Sequence, residues 1–282
     1  MGKGTLFLCA TPIGNLEDMT LRAIRILREA DFIGAEDTRW SRKLLDHYEI
    51  KKQPFSCFAH NELQRVDWIL DRLEEGGKIA IITSAGMPGI SDPGNILVER
   101  VIDAGFSVEV IPGPSAVTSA LALSGWGGGD FYFAAFLDRQ GKKRKDTLNF
   151  IAGLSCPSVI FESPHRIIAT LEEFMEILGP ERRIFLAREL TKIHEETLRG
   201  KIEEIIPQLR ERDRVRGEIT LVIQGLEEKA ESSEEKSPLV DEENLLNDLL
   251  EAGVSKKDAV KILQHVLAWP RNRIYEFVHK KK

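Results

Sequence analysis

Thr5-Leu6-Phe7-Leu8-Cys9-Ala10-Thr11-Pro12-Ile13-Gly14-Asn15-Leu16 begins with an apolar run and ends in a Pro-Gly turn. A helix-like segment follows, Thr20 to Ala30. A second apolar run, Asp31 to Ala35, then closes on Glu36-Asp37-Thr38-Arg39. The order is strand, turn, helix, strand, polar cluster. In open α/β sheets, ligand chemistry sits beyond the carboxyl ends of strands, and both polar motifs fall at such ends. The stretch therefore predicts an α/β fold with an enzyme site at its strand ends.

The same rhythm continues outward. Strands are expected at Lys78–Ile82 and Ser107–Ile111, and helices at Asn61–Glu75, Gly94–Ala104 and Pro114–Leu123. Val66, Ile69, Leu70 and Leu73 fall at helical spacing, and Gly76-Gly77 stops that helix. Strands alternating with helices imply crossovers and a mainly parallel sheet. The run Gly125-Trp126-Gly127-Gly128-Gly129-Asp130 breaks the pattern and predicts a hinge. Beyond it a second α/β pattern places strands at Phe131–Phe136, Ser158–Phe161, Ile184–Ala187 and Glu218–Gln224. Its helices are expected at Lys145–Ile151, Pro164–Leu178 and Ile202–Glu211. Residues 227–238 are acidic and nearly free of large apolar side chains, as a flexible linker is. Three helices are expected after it, Glu242–Glu251, Lys256–Val266 and Arg271–His279, with Ser255 capping the middle one. The expected organisation is an α/β domain at 1–124, another at 125–226, a linker at 227–238 and a helix-turn-helix-like module at 239–282.

Composition bounds the function. With 282 residues, 42% hydrophobic and 30% charged, the chain reads as globular. A net charge of −6 argues against indiscriminate polyanion binding but leaves room for local basic patches. Cys9, Cys57 and Cys156 have no metal-ligand spacing, which fits a reduced, cytoplasmic protein. The histidines show no ligand spacing either, so no metal is expected. The first residues lack the pattern of a signal peptide, and no apolar run reaches the ~20 residues of a membrane span.

The motifs narrow it further. Thr83-Ser84-Ala85-Gly86-Met87-Pro88-Gly89-Ile90-Ser91-Asp92-Pro93-Gly94 is a long, backbone-rich loop after a strand. Glycine lets a ligand approach such a loop and proline fixes its path. It suits an adenosine or amino-acid moiety, or else a connection whose Ser91, Asp92 and Pro93 start a helix. Ile111-Pro112-Gly113-Pro114-Ser115-Ala116 also runs from strand into helix, where free N–H groups favour an anionic group. No Gly-x-Gly-x-x-Gly and no phosphate-loop Lys-Ser/Thr occurs, which argues against nicotinamide cofactors and nucleoside triphosphates. His165, at a helix start, is read as packing or capping. Leu137-Asp138-Arg139-Gln140-Gly141-Lys142-Lys143-Arg144-Lys145 is the strongest basic cluster. Its Lys142, Lys143, Arg144 and Lys145 can hold phosphates, or else form a solvated charged turn. Lys256, Lys257, Arg271, Arg273 and Lys280–Lys282 offer a second basic surface.

Thr11–Leu16, Glu36–Arg39, Ala85-Gly86 with Ile90–Gly94, Pro112–Ala116, Phe161–Arg166, Ala187–Lys192 and Gly217–Ile219 occur in one order. As a set they resemble the ribosomal RNA small subunit methyltransferase I family, within the tetrapyrrole-methylase superfamily. The resemblance spans Thr5 to Leu226, and the C-terminal module resembles an extra helical domain of some members. It implies a two-domain α/β protein, usually a homodimer, with S-adenosylmethionine folded into the interdomain cleft. The implied reaction is 2′-O-methylation of a cytidine in the decoding region of 16S rRNA, which makes the small ribosomal subunit the partner.

Carried over motif by motif, the cofactor contacts are Pro12, Ser84, Gly86, Met87, Pro88, Ile90, Ser115, Ala116, Phe161, Glu162, Ala187, Gly217, Glu218 and Ile219. Glu36, Asp37, Thr38 and Arg39 fall on the substrate side. One departure stands out: the family's usual Asp-Ala-Gly-Thr-Pro is here Ser84-Ala85-Gly86-Met87-Pro88, with a hydroxyl in place of a carboxylate. Methyl transfer to a hydroxyl needs alignment and a way for the proton to leave. Glu189, Lys192 and Glu162 are the candidates, and the residues alone do not choose among them. Two other functions share many of these features, tetrapyrrole C-methylation and non-catalytic RNA binding in ribosome assembly. The basic cluster and Glu36–Arg39 favour the rRNA enzyme.

Overall fold

The computed structural model describes residues 3–57, 62–91, 94–226, 242–266 and 271–280. Asp92, Pro93, the linker 227–238, Lys281 and Lys282 lie outside them. The chain divides into two units, Met1–Glu227 and Glu228–Lys282.

The larger unit begins with β1 (Thr5–Cys9), α1 (Leu21–Glu29), β2 (Phe32–Ala35), α2 (Thr38–His47), β3 (Phe55–Ser56), α3 (Glu62–Glu74), β4 (Lys78–Ile82), α4 (Asn95–Asp103), β5 (Ser107–Ile111) and α5 (Ala116–Ser124). Its five strands pair in parallel in the order β3-β2-β4-β1-β5. Ile79, Ala80, Ile81 and Ile82 of β4 are all buried, as a central parallel strand covered on both faces requires. Ala23, Ile26 and Leu27 of α1 and Leu44 and Leu45 of α2 cover one face. Val66, Ile69 and Leu73 of α3 and Leu97 and Val101 of α4 cover the other. Local signals set the ends. Thr20 Oγ1 accepts from Ala23 N at 3.1 Å to start α1. Gly76, at φ +87°, and Gly77 stop α3 by donating to the Leu73 and Arg72 carbonyls.

The second sheet is built from β6 (Tyr132–Phe136), α6 (Lys142–Ala152), β7 (Ser158–Glu162), α7 (Ile167–Leu178), β8 (Arg183–Arg188), β9 (Glu196–Lys201), α8 (Ile202–Arg210) and β10 (Ile219–Ile223). Its order is β6-β7-β10-β8-β9. Only β6 and β7 run parallel; β10 is antiparallel to β7 and β8, and β9 to β8. The fold is therefore α/β with one parallel and one mixed sheet. The β8–β9 hairpin has no helix between its strands, so no crossover can make it parallel.

Helix α5 joins the two halves. It follows β5 in the chain, yet its Val117, Ala120 and Leu121 pack with Val159, Phe185 and Val222 of the second sheet. Ile13 and Leu190 complete that core. Gly125, at φ +81°, ends the helix, and the glycine run leads into β6. In the smaller unit, α9 (Glu242–Glu251), α10 (Lys256–Val266) and α11 (Arg271–Lys280) bury Leu246, Ala259, Val260, Leu263, Ile274 and Val278 together. Ser255 Oγ accepts from Asp258 N at 3.2 Å and caps α10.

Candidate active site

The carboxyl ends of β1, β4 and β5 face the end of β7 and the start of β10 across a cavity of about 340 Å³. Backbone bonds shape its floor. Thr11 N donates to the Gly86 carbonyl at 2.9 Å and Gly86 N returns to the Thr11 carbonyl at 3.1 Å. The buried Thr11 hydroxyl donates to the Thr83 carbonyl at 3.1 Å. This ties the long loop to the first turn, and Gly86 and Gly89, both at φ +80°, take conformations that suit glycine.

Among the residues expected to bind the cofactor, Gly86, Met87, Ile90, Ser115, Ala116, Phe161, Glu162, Gly217, Glu218 and Ile219 line the cavity. Pro12 and Pro88 do not; they are buried and support the turns from behind. Ala187 does not either, being buried in the core shared with α5. The wall gains Ile13, Ala85, Ser91 and Val117 from the first half, and Phe136, Ser163, Pro164 and Thr220 from the second. Phe136 is 57% exposed, with its ring 5.4 Å from that of Phe161. Its trace in the sequence is a phenylalanine at the carboxyl end of a strand, where ligands bind.

Ser84 belongs to a neighbouring, more open pocket of about 470 Å³, lined also by Glu36, Asp37, Thr38 and Arg39. Its hydroxyl and N–H both donate to Glu36 Oε2, at 3.0 and 3.3 Å. Asp37 has a second task. It caps α2 by accepting from Arg39 N at 2.8 Å and Trp40 N at 3.2 Å, and these backbone bonds hold its carboxyl below the usual range.

Glu162 is fully buried at its side chain and its oxygens are occupied. Oε1 accepts from Ser163 N at 2.6 Å and Arg166 Nε at 2.9 Å, and Oε2 from Thr170 Oγ1 at 2.7 Å. Thr170 accepts in turn from Arg144 Nη2 at 2.9 Å. Arg144 also donates to Glu173 at 2.7 Å and to the Asp138 carbonyl at 3.0 Å. The expectation that Arg144 meets phosphate is thereby corrected. Its guanidinium is buried and committed to these partners, while Lys142, Lys143 and Lys145 stand exposed on the first turn of α6.

Glu189 and Lys192 do not line the cavity themselves but bond to Glu218, which does. Lys192 Nζ lies 2.7 Å from Glu189 Oε1 and 3.0 Å from Glu218 Oε2. Burial works against the Lys192 ammonium, but the bonds to Glu189 and Glu218 outweigh it and raise its pKa. A neutral lysine base is thus disfavoured. Burial also opposes the Glu189 carboxylate, and the bonds from Lys192 and Glu218 N more than offset it, lowering its pKa. Glu189 and Thr191 adopt left-handed φ of 52° and 65°, strain of the kind that collects at functional loops. This loop meets the first turn, where Thr191 Oγ1 accepts from Asn15 N at 3.0 Å. Behind it, Glu196 accepts from Arg188 at 2.8 Å and from both terminal nitrogens of Arg212 at 2.7 Å. Arg188 reaches on to the Arg216 and His194 carbonyls, each at 3.2 Å.

A family model described as Tetrapyrrole (Corrin/Porphyrin) Methylases matches residues 5–206. A Thermotoga maritima protein named ribosomal RNA small subunit methyltransferase I is 48% identical over 224 residues, which are 79% of this chain and 100% of that protein. The chain belongs to the ribosomal RNA small subunit methyltransferase I family. A family member from Halalkalibacterium halodurans is 41% identical over 278 residues, covering 99% of this chain and 96% of its own. The solved structure of a cobalt precorrin-4 methyltransferase shares the fold at a TM-score of 0.59 and 17% identity, over 77% of this chain and 94% of that one.

The family's cofactor is S-adenosylmethionine. The residues present fit it. The cavity volume lies in the range of small-molecule sites, roughly 300–1,000 Å³. Phe136 and Phe161 offer aromatic faces to a cationic centre. Ser115 and the backbone of Ala85–Met87 and Gly217–Ile219 supply the polar groups.

Proposed function

We propose that the chain transfers a methyl group to the 2′-hydroxyl of a cytidine in the decoding region of 16S rRNA, on the small ribosomal subunit. The observation that carries this reading is the pairing of two unlike spaces through one loop. Ala85–Met87 line the enclosed cavity, and Ser84 lines the open polar pocket of Glu36–Arg39. One space suits the cofactor and the other an incoming nucleotide.

The first turn of α6 supports an RNA partner. Lys142 and Lys145, with Lys143 beside them paired to Asp138 at 3.4 Å, sit where the helix dipole favours negative charge. Such a conflict with local preference is common at functional sites, and a bound phosphate would relieve it. The relatives named above carry ribosomal RNA in their names.

S-adenosylmethionine supplies the methyl group on a sulfonium centre. The chain's own residues align the hydroxyl and remove its proton. Glu162 is too fully engaged to accept that proton, and it serves to hold the cavity wall. Glu218 lines the cavity with its carboxylate 73% exposed and is the group that takes the proton. Lys192, held by Glu189, keeps a positive charge beside it and stabilises the oxyanion as it forms.

The test supplies labelled S-adenosylmethionine to small subunits lacking the modification. Label in 16S rRNA, at a cytidine whose 3′ linkage then resists alkali, is the expected result. Subunit binding without methyl incorporation, or transfer to a tetrapyrrole instead, overturns the reading.

A further inference from the structure

The segment between α8 and β10 carries arginines at alternate positions, Arg212, Arg214 and Arg216, after Arg210 at the end of α8. Two of the four are consumed within the fold. Arg210 pairs with Glu172, and Arg212 with Glu196. Arg214 and Arg216 are exposed, and among the described residues neither guanidinium has a hydrogen-bond or ion-pair partner.

Their backbone is nevertheless fixed. Val215 is buried in the core of the second half, while Arg214 and Arg216 on either side of it are exposed. The Arg216 carbonyl accepts from Arg188, so the network around Glu196 holds the segment in place. With Pro164, His165, Val215 and Gly217, the two arginines surround an open pocket of about 410 Å³. No carboxylate lies in its wall.

The pocket's position is informative. Pro164 and Gly217 also line the cofactor cavity, so the two spaces share a wall. On the other side Arg166, next to His165, donates to the Leu137 carbonyl at 3.4 Å, which brings up the start of the basic segment that ends at Lys145. Unpaired guanidiniums held close together repel one another, and a multiply charged anion removes that cost. Arginine's planar fork matches phosphate oxygens, and a histidine ring adds an N–H donor.

We propose that His165, Arg214 and Arg216 form a phosphate subsite that holds the RNA backbone beside the nucleotide entering the cavity. The proposal rests on the rRNA reading above. Phosphate contacts position a nucleic acid without specifying its sequence. The subsite would therefore set the register of the target ribose, and leave the choice of base to the Glu36–Arg39 pocket.

The experiment measures binding of unmodified small subunits across a range of salt, for the wild-type chain and for Arg214→Gln/Arg216→Gln. Loss of two phosphate contacts is expected to flatten the slope of log K against log salt by about 1.4–1.8. The charge-retaining pair Arg214→Lys/Arg216→Lys is expected to keep that slope. S-adenosylmethionine affinity, unchanged in both variants, reports an intact cavity. A wild-type slope preserved in the glutamine variant overturns the subsite and leaves the rRNA reading standing. A wild-type chain that binds no RNA overturns both.

Discussion

Glu196→Gln tests how the loop of Glu189 and Lys192 is held. Glu196 takes three charge-assisted bonds, one from Arg188 and two from Arg212. The Arg212 bonds foremost, against some burial and with help from Arg188, bring its carboxyl down from the usual 4.5 to about 2. That gap converts to about 3 kcal/mol at most. The side chain is 28% exposed, and screening by water reduces the figure to about 1–2 kcal/mol. Because the folded carboxyl titrates below the unfolded one, this stability is full above about pH 4.5 and is lost as pH falls towards 2. Glutamine keeps an oxygen but cannot accept the Arg212 fork. Urea unfolding at pH 7 should show the variant destabilised by about 1–2 kcal/mol, with the difference shrinking below about pH 4.5. Hydrogen exchange should quicken at residues 190–195 and 213–217, which Arg188 ties together through its carbonyl contacts. A variant as stable as wild type at pH 7, or exchange that quickens evenly across the second half, would refute the reasoning.

Two further substitutions probe the cleft itself. A Cβ at Gly14 would lie 2.4 Å from Lys192 Cγ and 2.8 Å from the Leu190 carbonyl. Gly14→Ala should therefore push the Lys192 loop away, and kcat should fall about tenfold, equivalent to about 1.4 kcal/mol; steady-state kinetics at saturating cofactor checks this, and an unaltered kcat counts against the loop's role. Ser84→Ala removes one bond to Glu36 and leaves the N–H contact. It should raise KM for the RNA substrate about fivefold, the effect of losing about 1 kcal/mol; a shift in S-adenosylmethionine affinity instead, read by calorimetry, would return Ser84 to the cofactor side.

Much of the architecture was legible because burial leaves a plain trace in this chain. β1, β2, β4 and β10 are apolar runs bounded by turn residues, and the three C-terminal helices follow their apolar spacing closely. Helix α2 is absent from the sequence expectations, although Asp37 is a suitable cap and Leu44 and Leu45 face the core, because the polar cluster Glu36–Arg39 masks its start. Strand β9 left little trace, since Glu196–Lys201 is a polar edge strand with a glycine. The second sheet's mixed direction depends on a hairpin whose loop carries no turn signature.

At the site, the motifs hold Gly86, Ser115, Phe161 and Gly217–Ile219, which line the cavity, but also Pro12, Ser84, Pro88 and Ala187, which do not. Motif order could not show which charged groups are free. Arg144 looks like its lysine neighbours in sequence, and only Thr170 and Glu173, far along the chain, draw it inside. Lys192 reads as a possible base until Glu218 is placed beside it.

The seating of α5 bears on how this protein can be cut or assembled. A fragment ending at Ser124 would carry Val117, Ala120 and Leu121 with nothing to cover them, and its complement would bare Val159, Phe185 and Val222. Each piece would expose an apolar face that the other normally covers. During synthesis the first half must wait, its last helix undocked, until β7, β8 and β10 have emerged. Split reporters and truncations should be placed beyond Glu227, where the larger unit ends, and not at the glycine run that looks like the natural seam.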